Sequence, residues 1–349
     1  MLNFFDPVVE EDLLHPNFRQ ILRLKDDTAR NEFNRWASGF VDRDGKIVRE
    51  FQTTFNSTFW EIYLHRLFSD IGLRPDYKFK SPDFMLNYNG NIICAEAVIS
   101  SHAEDSIPEW SLEHKMVRTK PNLTALNFSA MLRYLNSIHK KHSKYKNNYS
   151  NFDHVKGRPF VIALGSYDQP NFWVEGDRAI RAVLYDYYVD EQGDVDAPIV
   201  GANGVYAKSI GRIKNKNGSY VDLGLFCNDS MKDVSAIVFS CIATHGKLRA
   251  FSVPENAYVE FFGVKLDNGG APVEFRKINR EYSESIQDGL YVFHNPYAEN
   301  PLPLGAFRHP GVIQHYFSDI YGHMVIEGMD GFLYMRMSHV FFQGQALRY

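Results

Sequence analysis

Apolar residues recur at helical spacing in the stretch that begins at Asn56. Phe59, Ile62, Tyr63 and Leu67 fall at this spacing, together with Arg66. Asn56 or Ser57 is placed to cap the start of this helix, and Gly72 is placed to end it. The pattern therefore predicts a helix that carries Glu61 close to the border of its apolar face.

After the Arg74-Pro75 break the pattern becomes that of short strands. Tyr77–Lys80 is predicted as a first strand, and Pro82–Tyr88 as a second strand with alternating apolar residues. Asn89-Gly90 is a strong signal for a two-residue hairpin turn, so Asn91–Ile99 is predicted to return as a third strand.

The hairpin turn fixes a register for the second and third strands. Counting outward from the turn pairs Tyr88 with Asn91 and Asp83 with Glu96. The two carboxylates are then direct cross-strand neighbours on one face, with β-carbons about 5 Å apart. Like charges so placed repel each other unless a cation or a proton lies between them.

The following segments complete an α/β core. Leu123–Tyr149 is predicted as a helix that ends in a basic run, after a long polar loop at Ser100–Pro121. Pro159–Gly165 is a continuous apolar run typical of a strand buried on both faces, and Glu175–Tyr188 is predicted as a helix. A helix that connects the third strand to Pro159–Gly165 favours parallel pairing between them, and hence a mixed sheet flanked by helices.

The chain is interpreted as three regions. Residues 1–54 form an N-terminal helical cap with helices at Asn17–Leu24 and Asp27–Ser38, residues 55–190 form the α/β core, and residues 191–349 form an α+β extension. The best linker candidate is Asp190–Asn203. Segments of the extension predicted to be buried or extended are Val234–Ile242, Tyr258–Leu266 and Tyr291–His294.

The composition is that of a folded globular protein. The 349 residues are 44% apolar and 15% aromatic, enough for a sizeable core. The chain has 38 basic and 42 acidic residues, so a nucleic-acid partner would require a local basic patch. Three cysteines without CxxC spacing favour a reducing cytoplasm. The sequence has no secretory signal pattern at its start and no run of about 18 apolar residues, which argues against a membrane span.

Oxygen donors at the predicted hairpin suit a hard cation. Magnesium prefers carboxylate and carbonyl oxygens and usually keeps several waters. Asp83, Glu96 and the backbone carbonyl of Ala97 supply such a set, and Glu61 is placed to bind directly or through water. A metal held there would activate a water and offset charge in a phosphoryl transition state.

The order of these motifs resembles the PD-(D/E)XK nuclease superfamily over about residues 56–165. That order is a helix with Glu, a strand, Pro-Asp on a second strand, Glu on a third strand, a helix and a strand. The resemblance implies a restriction-endonuclease-like core, α-β-β-β-α-β. It also implies that Asp83 and Glu96 bind Mg²⁺ or Mn²⁺ and that Glu61 assists.

The sequence departs from the family at one position. The third-strand lysine of the family corresponds to Val98 here. Lys141 and Tyr145, one helical turn apart, resemble the Gln-x-x-x-Tyr motif of RecB-like members and could both point into the cleft. Lys78 and Lys80, on the predicted first strand, are the other source of a replacement.

Three functions are therefore in view. The first is a divalent-metal-dependent nuclease acting on DNA, suited by analogy to restriction, repair or defence against foreign DNA. The second is a non-catalytic module of the same fold that binds nucleic acid or protein, and the third is a hydrolase of a small phosphate-bearing molecule. A homodimer is compatible with each of them. The predicted nucleic-acid contacts are Lys78, Lys80, Arg133, Lys140 and Lys144.

Overall fold

The computed structural model describes residues 2–23, 27–111, 121–189, 207–252 and 257–342. Its helices are α1 (Pro16–Arg23), α2 (Asp27–Trp36), α3 (Ile47–Thr53), α4 (Asn56–Asp70), α5 (Leu123–Lys144), α6 (Arg178–Tyr185) and α7 (His245–Phe251). The first eight strands are β1 (Arg74–Asp76), β2 (Phe84–Tyr88), β3 (Asn91–Ser101), β4 (Phe160–Tyr167), β5 (Tyr188–Val189), β6 (Ala207–Lys208), β7 (Arg212–Lys214) and β8 (Tyr220–Asp222). The others are β9 (Ala236–Ser240), β10 (Ala257–Leu266), β11 (Pro272–Ile278), β12 (Leu290–His294), β13 (Val312–Ser318), β14 (His323–Glu327) and β15 (Leu333–Phe342).

One large mixed sheet, flanked by helices, organises the α/β fold. Eight strands lie in the order β1-β2-β3-β4-β9-β12-β13-β14. Strands β3, β4 and β9 are mutually parallel, as are β12 and β13, and the other neighbours in this sheet are antiparallel. The predicted parallel pairing of the third strand with the buried strand after α5 is confirmed.

The predicted hairpin register is confirmed in the paired part of β2 and β3. Pairs run from Tyr88↔Asn91 at the turn to Phe84↔Ala95. The ladder ends there, so Asp83 lies one residue before the first paired residue of β2. The same register, continued by one step, still sets Asp83 opposite Glu96.

The predicted first strand at Tyr77–Lys80 is wrong. The strand that pairs with β2 is Arg74–Asp76, and residues 77–83 form a loop outside the sheet. The Asp76 carboxylate accepts a hydrogen bond from the Lys78 backbone N–H (2.9 Å), which turns the chain away from the ladder. Lys78 and Lys80 therefore lie in an exposed loop, and strand alternation does not orient them.

Helix α4 has the predicted extent but not the predicted cap. Its N-terminal flanking residue is Phe55, with φ +44°, and no side chain caps the helix there. The Asn56 amide instead donates to the buried Glu109 carboxylate (2.6 Å), a partner distant in sequence. The helix ends at Asp70, and Gly72 follows just beyond its C-terminus as predicted, with a φ of +82° that suits glycine.

The N-terminal helices pack against α4 through aromatic rings. Phe33 of α2 stacks on Phe51 of α3 with ring centroids 4.5 Å apart. The same Phe33 ring lies 5.8 Å from Phe59 of α4. Helices α1 and α2 confirm the helical segments expected in residues 1–54.

Strand β4 is buried along its whole length because helices cover both faces of the sheet. On one face, the Tyr134 hydroxyl of α5 donates to Ser166 (2.9 Å). On the opposite face, a Cβ at Gly165 would come within 2.8 Å of the Trp60 ring of α4. Helices α4 and α5 therefore enclose the centre of the sheet from its two sides.

The C-terminal strands continue the same large sheet. Strands β9, β12, β13 and β14 extend it beyond β4, whereas β10, β11 and β15 form a separate three-stranded sheet. The predicted segments at Val234–Ile242, Tyr258–Leu266 and Tyr291–His294 contain all of β9 and most of β10 and β12. The proposed linker at Asp190–Asn203 lies outside the described residues.

Among the helices that are described, none is long and apolar enough to cross a membrane.

A buried ion cluster ties α7 to the last strand. The Lys247 ammonium contacts the Glu284 carboxylate (2.9 Å), and both side chains are fully buried. The Arg336 guanidinium lies 2.7 Å from the other oxygen of Glu284 and donates to the Ile242 carbonyl (2.8 Å). Removing one partner of such a cluster is costly because it leaves a buried charge uncompensated.

We predict that Lys247→Met lowers the free energy of unfolding by about 3 kcal/mol. Urea unfolding followed by circular dichroism measures this change. The matched control is Lys232→Met, which removes a lysine paired with Glu299 at the surface and should leave the unfolding midpoint nearly unchanged. Equal effects of the two substitutions would contradict a special role for the buried cluster.

Candidate active site

Asp83 and Glu96 meet where β2 ends beside β3. The Asp83 carboxylate accepts a hydrogen bond from the backbone N–H of Ala97 (2.9 Å). The Glu96 carboxylate accepts one from the backbone N–H of Asp83 (3.3 Å). These reciprocal bonds continue the hairpin beyond its last ladder pair and hold the two acids side by side.

The Ala97 carbonyl faces the same side of β3 as Asp83. In an extended strand, the N–H and C=O of one residue point to the same neighbouring strand. Because the Ala97 N–H reaches Asp83, its carbonyl is directed toward the end of β2 as well. The Ala97 carbonyl and the Asp83 carboxylate therefore lie on the same edge of β3, beside Glu96.

Two lysines of α5 bind Glu96. The ammonium nitrogens of Lys141 and Lys144 lie 2.8 Å and 2.6 Å from the same carboxylate oxygen, Oε1. Lys141 is also 3.9 Å from Oδ2 of Asp83. Glu96 is fully buried, whereas the Lys144 side chain is 41% exposed. Lys144, predicted as a nucleic-acid contact, is therefore part of the carboxylate site.

The lysines decide the charge state of Glu96. Burial alone would raise the pKa of Glu96, but the neighbouring Lys141 and Lys144 ammonium groups outweigh burial and lower this pKa below its ordinary value. Asp83 behaves in the opposite way, because burial and the charge of Glu96 raise its pKa. The Glu96 carboxylate therefore favours its ionised form. The Asp83 carboxylate beside it more readily accepts a proton or a neighbouring cation.

Glu61, on α4, is influenced by the charge of Asp83. Burial, and next the charge of Asp83, raise the pKa of Glu61 to about 8. The Arg43 guanidinium acts in the opposite direction and lowers it. Among the described residues, Glu61 makes no hydrogen bond or ion pair with Asp83 or Glu96, so its link to the pair is electrostatic.

Tyr145 does not point toward the carboxylates, contrary to the prediction. Its ring stacks on Phe160 with centroids 4.1 Å apart, and burial raises the pKa of its hydroxyl to about 12. Successive residues turn by about 100° around a helix, so Lys144 and Tyr145 fall on opposite sides of Lys141. The site lies between Lys141 and Lys144, which leaves Tyr145 on the core side.

Tyr149 is a site residue that sequence reasoning missed. Helix α5 passes into a π-helical turn at Tyr145–Tyr149, which brings Tyr149 back under the Lys144 ammonium, 5.7 Å from the ring centroid. Burial and the charge of Glu96 raise the pKa of the Tyr149 hydroxyl. No sequence signal predicts a π-helical turn, although such turns are frequent at functional sites.

The other predicted nucleic-acid contacts are three exposed lysines and one arginine that lies away from the carboxylates. Lys78, Lys80 and Lys140 are exposed. Arg133 lies eight residues before Lys141 on α5, about 12 Å along the helix axis. Burial, and next the charge of Arg133, lower the pKa of His102 in the loop after β3.

The donor set fits a hard divalent cation in its chemistry, because Asp83, Glu96 and Ala97 offer only oxygen. In the present arrangement, no group of three or more His, Cys, Asp or Glu among the described residues is gathered so as to hold a metal ion. A cation bound between Asp83 and Glu96 would compete with the two ammonium groups for Glu96 Oε1.

No family model, no curated protein and no solved structure matches this chain.

The raised pKa of Glu61 predicts that stability falls as pH rises. An unfolded glutamate has a pKa near 4.5, whereas Glu61 in the folded chain has a pKa of about 8. Between these values the unfolded chain has lost the proton and the folded chain retains it, so the folded state loses stability with rising pH. Glu61→Gln should remove this contribution, stabilising the protein at pH 8 relative to wild type but not at pH 4.5.

Urea unfolding in EDTA at pH 4.5, 6 and 8 measures the difference, expected to be on the order of a few kcal/mol at pH 8. Glu104→Gln, an exposed carboxylate in the loop after β3, is the control. Parallel pH profiles for wild type and Glu61→Gln would contradict the assignment.

Proposed function

We propose that this protein is a divalent-metal-dependent nuclease that hydrolyses phosphodiester bonds in DNA, on a restriction-endonuclease-like core. The order α4, β1, β2, β3, α5 and β4 supports the proposal, because it is the α-β-β-β-α-β order of the PD-(D/E)XK superfamily. Restriction, repair or defence against foreign DNA would be suitable settings by analogy with that superfamily.

The observation that carries the proposal is the position of Lys141. Its ammonium lies 2.8 Å from Glu96 and 3.9 Å from Asp83, so one cationic group contacts both candidate metal-binding acids. Val98, where the family has lysine, is partly buried against the apolar core. The helix thus supplies the cation that the third strand lacks.

Asp83, Glu96 and the Ala97 carbonyl would hold Mg²⁺ or Mn²⁺, and Glu61 would assist. When bound, the ion would lower the pKa of a water and offset negative charge on the phosphate. Lys141 would orient the attacking water by donating a hydrogen bond to it. Lys144, which is partly exposed, would turn from Glu96 toward the substrate phosphate.

Exposed lysines near the site offer a path for the DNA backbone. Lys140 lies on α5 beside Lys141, and Lys78 and Lys80 lie in the loop that leads to Asp83. Such local positive charge would offset the overall charge of −4.

One observation favours a second function, a non-catalytic module of the same fold that binds nucleic acid or protein. Two ammonium groups already neutralise Glu96, so this carboxylate needs no metal for charge compensation. A module of this kind would be indifferent to Mg²⁺.

The proposal predicts cleavage of DNA that depends on both acids. Purified protein is incubated with plasmid, linear duplex and single-stranded DNA in Mg²⁺ or Mn²⁺. Asp83→Ala and Glu96→Ala should reduce cleavage to background, and Asp83→Ala should abolish the heat of Mn²⁺ binding measured by calorimetry.

Glu104→Ala, at an exposed acid outside the site, is the control for this experiment and should retain activity. Cleavage that survives both substitutions would place the active site elsewhere. Intact DNA together with no Mn²⁺ binding by the wild type would favour the non-catalytic module.

A second prediction separates the two sources of the replacement lysine. Lys141→Ala should reduce the cleavage rate by about 10²-fold or more, because it removes the cation between the acids. Lys80→Ala should change the rate at saturating DNA little, because Lys80, in its exposed loop, would contribute to binding of the DNA backbone and not to the chemical step. Rates under single-turnover conditions make the comparison, and the reverse ranking would assign the role to Lys80.

A further inference from the structure

The segment that delivers Asp83 lies outside the sheet and depends on side chains for its backbone hydrogen bonds. Residues 77–83 connect β1 to β2, and Asp83 precedes the first ladder pair. A backbone carbonyl outside a ladder still needs a donor when it is shielded from water. The donors present show what holds Asp83 in position.

A single guanidinium supplies three of these hydrogen bonds. Arg43 donates through Nη1 to the carbonyls of Phe79 (2.5 Å) and Pro82 (3.3 Å), and through Nη2 to the carbonyl of Asp83 itself (3.0 Å). Its guanidinium carbon also lies 5.6 Å from the ring centroid of Tyr77. Arg43 therefore contacts this connecting segment at both ends and in its middle.

Arg43 is itself fixed by the N-terminal region. It belongs to the turn Asp42–Gly45, in which the Asp42 carboxylate accepts hydrogen bonds from the backbone N–H groups of Gly45 (2.9 Å), Lys46 (3.3 Å) and Ile47 (3.3 Å). Ile47 begins α3, so the turn is anchored to a helix. The same segment is also held by His154, which donates to the Ser81 carbonyl (2.8 Å) and stacks on Phe79.

We propose that Arg43 is a positioning residue of the carboxylate site: it holds residues 77–83 so that Asp83 stands beside Glu96 with its carboxylate on the Ala97 N–H. The planar guanidinium suits this role because its five N–H donors have fixed directions and two of its nitrogens reach three carbonyls at once. The inference rests on the proposed metal-dependent function and extends it to the N-terminal region.

Three variants test the inference. Arg43→Lys retains the positive charge but loses the planar guanidinium with its fixed N–H donors. Arg43→Gln loses both the charge and the guanidinium. Arg49→Lys is the matched control, at an exposed arginine of α3. Calorimetry measures the Kd for Mn²⁺, thermal unfolding measures stability, and cleavage across a Mn²⁺ series gives the metal concentration for half-maximal rate.

We expect Arg43→Lys and Arg43→Gln to weaken Mn²⁺ binding about 10-fold or more, as for other residues that orient a metal ligand. The metal concentration for half-maximal rate should rise in parallel, while the rate at saturating Mn²⁺ stays near that of the wild type. Arg49→Lys should match the wild type in all three measurements.

The contrary outcomes are distinct. Wild-type Mn²⁺ affinity in Arg43→Lys but not in Arg43→Gln would show that charge alone matters and would overturn the positioning role. Unchanged affinity with a lower unfolding midpoint would assign Arg43 a purely structural role. If the wild type binds no Mn²⁺, the proposed function fails and this inference fails with it, whereas equal binding by wild type and both Arg43 variants overturns the inference alone.

Discussion

The site depends on one constraint, the charge of a glutamate fully buried in the central sheet. An ionised carboxylate removed from water is strongly disfavoured unless it is paired and hydrogen-bonded. Glu96 meets this condition through two ammonium groups on one oxygen and the Asp83 N–H on the other. Helix α5 must therefore dock over β3 with its basic end at Glu96, and the end of β2 must lie close enough to supply Asp83.

Several features of the fold follow from that arrangement. The α5 helix bonds to β3 and β4 farther along, where Ser137 donates to the Ile99 carbonyl (3.2 Å) and Tyr134 donates to Ser166 (2.9 Å). These bonds set the position of the helix over the sheet. Its lysines, three residues apart, then straddle Glu96, and the π-helical turn that follows places Tyr149 beneath them.

Local sequence patterns predict the hairpin and the helix that carry the site. The contacts that hold them join residues distant in sequence, which local patterns do not reveal. The Asn89-Gly90 turn fixes the register that sets Asp83 beside Glu96, because side-chain alternation leaves no freedom once the turn is known. The resemblance of Lys141 and Tyr145 to a Gln-x-x-x-Tyr motif singles out Lys141 in the sequence. Arg43 was missed because its polar turn resembles any other surface turn, and its partners lie about forty residues away. Asn56 was misjudged as a cap for the same reason, since Glu109 is distant in sequence.

The position of the cation has a consequence for how the site is held together. A lysine two residues after Glu96 would share its strand, and its distance would be fixed at about 7 Å along the backbone. Val98 packs apolar surface there instead, which strengthens the contact between sheet and core. Lys141 arrives on a separate helix, so its distance from Glu96 depends on how α5 docks, and Asp83 depends likewise on the N-terminal turn that carries Arg43. The geometry of the two acids and their cation is therefore a property of three packed regions of the chain, so a change in the packing of any one of them would alter the site.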